Sequence, residues 1–398
     1  MADTFNINVK TISRVEGHGD LVLDVKNKKI EKLMFRIPES PRFFEAMLVG
    51  RKYDEPSHIT SRICGICSVA HTCASIKATE AALGIVPTTQ IIKLRKLILH
   101  HECVQSNALH VYYLAAPDLF GVGSVFPLVK THPEVVNIAL RVKKMANDMV
   151  RIVGGRAIHP IRTVVGGFTK LPTVEEMLTM KKMLKACYPD LEASKEVFKT
   201  VKLPDFERET EYISISDAAD YALYDGNIKS TDGWEIDDRE YLDRINEKVV
   251  EHSTGKHCWS SRDAYLVGAL ARFNNNYDKL SDNAKSYAEE LGLKVPCYNP
   301  FMNNIAQFVE IVHSVDDSMK LIDEIMEDGL EEDKAMVDIN IKAGRGVGVV
   351  EAPRGLLIHD YTYNDKGRVE KANLIIPTNQ NYANIEKDME AMVPTIID

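Results

Sequence analysis

"SRICGICSVAHTCAS", residues 61–75, sets Cys64 and Cys67 in a Cys-x-x-Cys pair with His71 four residues further on. It is also the point at which the hydrophobic pattern changes. Upstream, "NINVKTIS", "DLVLDV" and "KIEKLMFRI" alternate apolar and polar residues around the turn "KNKK", the period of strands in a small sheet. Downstream the period becomes helical. "TTQIIKLRKLILHHECVQSNALHVYYLAAPD" reads as one long helix stopped at Pro117. Val135, Ile138, Val142, Met145, Met149 and Ile152 step by three and four, after Pro133 and before Gly154-Gly155. "TVEEMLTMKKMLKA" opens on a capping box, Thr173 with Glu176. Ile305, Phe308, Val312, Val315, Met319, Ile322 and Met326 form a further stripe.

Several long helices striped on one face imply a bundle. Residues 200–260 are more polar and read as loops and short strands, and "GVGVVE", "GLLIHDYTYN" and "RVEKANLIIPT" return to strand patterning. The expected fold is α+β, a long central helical bundle with small peripheral sheets. It is expected as one domain over 1–398: an N-terminal sheet region (1–60), a mainly helical core (61–335) with a polar insertion near 200–260, and a C-terminal strand region (336–398).

A formal net charge of −9, with no dense basic block, argues against nucleic acid as a partner. "MADTFNINVK" lacks the apolar core of a signal peptide, and no run of about 18 apolar residues is present to span a bilayer. Seven cysteines, scattered apart from the first cluster, do not form a disulfide framework. The expected location is the reducing cytoplasm, where Cys64 and Cys67 stay available to a metal.

Thiolates three residues apart at a helix start face one ion, and soft thiolates select zinc, iron–sulfur clusters, copper(I) or nickel. A structural zinc site needs four ligands, and no second Cys-x-x-Cys follows. A thioredoxin-type redox pair needs a βαβ frame that the helical surroundings do not supply. Buried apolar cysteines remain the bland alternative. Around this pair lie other polar candidates: Glu16 and His18 in "SRVEGHGD", Arg354 in "VVEAPRGLLIH", and His159 before a proline. His252 and His257 are five apart, poor helical spacing for a metal, and His101 and His110 read as core residues of a helix.

Taken together, "SRVEGHG", "SPRFFEAMLVGR", "SRICGICSVAHT", "NALHVYYLAAPD", "GGRAIHPIRTVVGGF", "NPFMNNIAQFVEIV", "EAPRGLLIH" and "IIPTNQN" resemble, in order, the large subunit of [NiFe] hydrogenases, and most closely the cytoplasmic multisubunit branch. The resemblance implies reversible heterolytic splitting of H2 at a Ni-Fe centre whose iron carries carbon monoxide and cyanide. Cys64 would be a terminal nickel ligand, Cys67 a thiolate bridging nickel and iron, and His71 a hydrogen-bonding neighbour of that bridging sulfur. Arg354 and Thr378 match donors to cyanide, and Pro353 helps shape that pocket. Arg354 would also sit over the open nickel position, oriented by Asp118. Glu16 matches a proton-gate glutamate, and Glu45 a carboxylate ligand of a nearby magnesium or iron. Electrons would leave through iron–sulfur clusters in a small partner subunit, then through flavin and iron–sulfur subunits to NAD(P) or ferredoxin.

The family's second pair, Asp-Pro-Cys-x-x-Cys, does not occur in "NIEKDMEAMVPTIID" or elsewhere in residues 1–398. Three explanations stand: a tail that is not ordered, a separate short peptide, or loss of catalysis in a scaffold related to the quinone-site subunit of respiratory complex I. Retention of Cys64, Cys67, Glu16 and Arg354 together favours the first two, with the missing segment docking against the first cysteine pair when metal is present.

Overall fold

The computed structural model describes residues 4–397. Its N-terminal strands Thr4–Val9, Asp20–Lys26 and Lys29–Arg36 form an antiparallel sheet in sequence order. The turn at Asn27 and Lys28 takes positive φ at both residues (50° and 60°), the geometry whose twist suits a two-residue hairpin.

The core is the bundle that the stripes imply. Helices Ser68–Leu83, Thr89–Leu109, Pro133–Gly154, Val174–Thr200 and Asn303–Asp328 share one apolar cluster. Val135, Ile138, Val142, Met145 and Met149 are buried, with Ile152 at the margin. Both halves of the capping box form: Thr173 Oγ1 accepts from Glu176 N (3.1 Å), and Glu176 Oε2 accepts from Thr173 N (2.8 Å).

Two expectations are corrected. The helix after residue 89 does not stop at Pro117; it widens into a π-helical stretch at His110–Ala115 and resumes as Ala116–Leu119 with Pro117 in its first turn. A wider turn relieves the clash that a proline ring makes with the preceding turn, and π-bulges are a recognised way to absorb it. The C-terminal strand region also ends in a long helix. Strands Gly344–Ala352, Gly355–Tyr363 and Val369–Ile375 form the expected antiparallel sheet, and Pro377–Ile397 is a 21-residue helix. Its face carries Asn379, Gln380 and Asn384, buried polar residues that hide the apolar stripe.

The sheet and the bundle meet along one line. A Cβ at Gly344, Gly346 or Gly348 would fall on the backbone of Ala82, Ala78 or Ala74 respectively, far inside van der Waals contact. Two strand residues advance about 6.6 Å and one helical turn of four residues about 6 Å, so the alternating glycines keep step with every fourth alanine. Strand Gly344–Ala352 therefore runs down helix Ser68–Leu83 towards its N-terminus, and ends beside Cys64 and Cys67.

Gly348→Ala is expected to lower stability by about 1–3 kcal/mol through overpacking against Ala74 and Ala78, read as a lower urea midpoint with unchanged slope. Burial also pushes His101 down to about 3. A histidine held neutral in the fold and free to charge in the unfolded chain costs nothing above pH 6.5, and an increasing amount as pH falls below it. By pH 5 this amounts to about 2 kcal/mol, and His101→Gln should flatten that part of the stability–pH curve.

Candidate metal centre

Cys67 is the N-cap of helix Ser68–Leu83, and Cys64 lies one turn before it. The first free amides of that helix, Val69 N and Ala70 N, donate to Glu102 at 2.6 and 2.8 Å. Glu102 is fully buried on the neighbouring long helix, and burial pushes its carboxyl up to about 8 against the opposing amides. His159 holds the same turn from outside: its N donates to Ser68 Oγ (2.9 Å) and its ring contacts Ser61 O (2.9 Å).

Cys64 Sγ accepts from Ile66 N (3.3 Å) and Cys67 N (3.2 Å), and lies 3.0 Å from Glu16 Oε2. The other oxygen of Glu16 accepts from Gly65 N at 3.1 Å. Arg354 Nη2 stands over the group, 3.1 Å from Glu16 Oε2, 3.0 Å from Cys64 Sγ and 3.9 Å from Cys67 Sγ. Cys67's hydrogen bond and then the Arg354 charge draw the Cys64 thiol below its ordinary range, whereas Cys67 is driven well above it by its place beside Cys64 and by burial. Burial works to raise Glu16, yet Cys64 and Arg354 together hold it low. Elsewhere burial drives thiols upward, Cys73 and Cys187 to about 12, with Cys103, Cys258 and Cys297 also raised. Cys64 is the thiol tuned towards thiolate.

His71 is buried and neutral, pushed down to about 3 by burial and then by Arg354. Its Nδ1 lies 3.2 Å from His359 Nε2, and His359 Nδ1 lies 2.7 Å from the Tyr361 hydroxyl, while His71 Nε2 has no partner. Paired thiols and a partnerless buried imidazole are a donor set that fits a soft, electron-rich metal centre.

Beside Arg354 is a cavity of about 180 Å³, lined among others by Glu16, His110, Gln307, Arg354 and Thr378. Pro353 is buried behind it. The Pro353–Arg354 turn is fastened from below by Arg272, whose five N–H groups are all used. Nε and Nη2 grip Glu310 (2.6 and 2.8 Å), Nη1 meets Glu351 (2.7 Å) and Ala352 O (2.9 Å), and Nη2 also reaches Pro353 O (2.9 Å). His110 faces this cavity and bonds Gln307 (2.7 Å), so it is not a plain core residue.

Two candidates are placed differently from expectation. Asp118 is salt-bridged to Arg14, not Arg354, with its side chain 70% exposed. The Arg14 backbone is left-handed (φ 64°), and its guanidinium also reaches Val122 O and Gly123 O. Glu45 does not fit the divalent cation expected there. Its Oε1 receives Lys256 Nζ and Leu374 N, each at 3.1 Å, and the same ammonium binds Glu247 at 2.9 Å. Lys256 already supplies the positive charge between two carboxylates.

The family model for nickel-dependent hydrogenase matches residues 42–134 and 207–392. The chain belongs to this family. It is 36% identical over 388 residues to the alpha subunit of sulfhydrogenase 1 of Pyrococcus furiosus, covering 97% of this chain and 90% of that protein. It is 33% identical over 378 residues to the alpha subunit of sulfhydrogenase 2 of the same organism, covering 94% of this chain and 87% of that one. The fold superposes on a chain of an NAD+-reducing [NiFe]-hydrogenase in its H2-reduced state with a TM-score of 0.86 at 26% identity, covering 99% of this chain and 94% of the other. This nickel-dependent hydrogenase chain is the catalytic large subunit of an oxidoreductase, with no described helix long and apolar enough to cross a membrane.

Sequence reading missed Glu102, Arg272, Glu310 and Glu351, although Glu310 and Glu351 each sit as a charge within an otherwise apolar run. Arg272→Met would strand Glu310 and Glu351 without their counter-charge. We expect a loss of about 3–5 kcal/mol, measured by chemical unfolding of the full chain.

Proposed function

We propose that Glu16, Cys64 and Arg354 are where the proton from heterolytic H2 cleavage is taken up, with Glu16 as the group that carries it away. The observation that supports this most directly is the single Arg354 nitrogen within 3.1 Å of both Glu16 Oε2 and Cys64 Sγ. Cys64 and Cys67 would be thiolate ligands of the nickel–iron centre. When bound, the nickel–iron centre supplies the two-electron redox chemistry of hydrogen.

The chain's own part is acid–base and electrostatic. Cys64 Sγ and Glu16 Oε2, 3.0 Å apart, share one proton without an intervening water. Arg354 stabilises either atom as an anion, so the proton moves between two groups already matched to hold charge. Gly65 N fixes the second carboxylate oxygen and keeps Glu16 aimed at the sulfur. Arg354 and Thr378, at the cavity wall beside Pro353, would donate hydrogen bonds to the cyanide ligands of the iron.

Electrons would pass to iron–sulfur clusters of a small partner. The relatives' being alpha subunits of sulfhydrogenases supports this reading. A further flavin and iron–sulfur module serving NAD(P) or ferredoxin is suggested by the likeness to an NAD+-reducing enzyme. Seven free cysteines suit a reducing cytoplasm.

Glu16→Gln in the purified complex tests the assignment. H2 uptake should fall by about 10²–10⁴-fold, the usual worth of a general acid or base, with nickel and iron contents unchanged. Activity within a few-fold of the parent at full metal content would remove Glu16 from the proton path.

A further inference from the structure

The polar segment 246–259 folds as a hairpin, Asn246–Val250 and Ser253–Trp259, packed on helix Pro377–Ile397. His252 sits in its turn and His257 on its second strand. Strand pairing is irregular between Ser253 and His257, a break of the kind that re-aims a side chain. Gly255 lies between them, and a Cβ there would press into the Tyr382 ring at 2.6 Å, so the absent side chain lets the helix close onto the strand. That closure brings Glu386 between the two imidazoles.

The three side chains converge. His252 Nε2 lies 2.9 Å from Glu386 Oε1, the oxygen that also accepts from Phe35 N at 2.8 Å. His257 Nδ1 faces the second oxygen, Oε2, at 4.0 Å. One donor atom from each residue lies within 4.8 Å of the others. The His252 and His257 rings meet edge to face, with centroids 5.3 Å apart.

His257 is what an ordinary ion pair fails to explain. It is 4% exposed and its Nε2 has no partner. A 4.0 Å separation is too long for a hydrogen bond between Nδ1 and the carboxylate. Two ligands bound to one ion at about 2.0–2.2 Å each stand about 3.4 Å apart in a tetrahedron, a contraction that side-chain rotation supplies. Two imidazoles and one carboxylate are also a recognised zinc donor set that leaves a fourth position for water. Phe35 N–H on Glu386 Oε1 is the outer contact that orients such a ligand.

We propose that His252, His257 and Glu386 form a second metal site, separate from the cysteine centre, that takes a divalent ion of zinc type. The ion displaces the proton shared by His252 Nε2 and Glu386 Oε1, and takes His257 through Nδ1, the ring nitrogen that faces Glu386. It ties the hairpin and strand Lys29–Arg36 to helix Pro377–Ile397, two turns beyond Thr378. Its role is to hold that helix in place, and nothing in it depends on the proton path assigned above.

Zinc alone is the probe. The full chain carrying Cys64→Ser and Cys67→Ser, which silences the thiolate centre, is stripped with chelator and titrated with ZnCl2. One zinc per chain is expected, together with a raised Tm. Cobalt(II) in its place should give visible d–d bands without a thiolate charge-transfer band. His257→Gln in that background should weaken zinc by more than the roughly 10–100-fold that loss of an outer partner costs, with an unchanged circular dichroism spectrum. If His257→Gln does not fold, His252→Gln, at the hairpin turn, takes its place. Failure of the background protein to bind zinc, or undiminished binding by the folded histidine variant, overturns the site. Because Cys64 and Cys67 are absent, neither result bears on the hydrogen chemistry.

Discussion

Everything at the metal centre depends on the contact between alternating glycines and the cysteine helix. Gly344, Gly346 and Gly348 lay strand backbone directly on Ala82, Ala78 and Ala74, because no side chain intervenes on either of the facing surfaces beyond a methyl group. The near-equal advance of two strand residues and one helical turn keeps the two elements in step. As a result the end of the strand and the start of the helix arrive at the same place. Arg354 reaches Cys64 at 3.0 Å because both are carried there by backbone, with little left for a flexible side chain to decide.

The second constraint is electrostatic. Glu102, Glu310 and Glu351 are buried carboxyl groups around a site whose working groups are a thiol pair and Glu16. Glu102 is neutralised by burial against the opposing pull of two helix amides, whereas Glu310 and Glu351 share Arg272. Arg272 and Arg354 thus divide the work. One is fully buried and saturated with fixed partners, so it sets backbone position. The other is partly open, holds only the reacting groups and borders a cavity. Such a division puts rigidity beneath the site and unpaired donor capacity within it.

Where the sequence misleads, the cause is long-range pairing. Asp118 stands in a motif that associates it with Arg354, but the left-handed turn at Arg14 brings a nearer guanidinium to it. Glu45 suits a metal ligand until Lys256, 211 positions away, is folded against it. His252 and His257 have unpromising spacing on a helix and good convergence on an irregular hairpin closed by Glu386. The C-terminal helix escaped notice because its buried face carries asparagine and glutamine, which bond to strands and loops and not to solvent.

The bundle, the N-terminal and C-terminal sheets and the identity of the cysteine pair with its glutamate and arginine are legible in the chain alone. These depend on period, capping and local motif, all of which act within a few residues. Which charge meets which is settled by packing: Arg354 with Glu16, Arg14 with Asp118, Lys256 with Glu45, Arg272 with Glu310 and Glu351. A charge has no period and pairs with whatever the fold brings within about 4 Å, so its partner is a property of packing and not of the chain's local pattern.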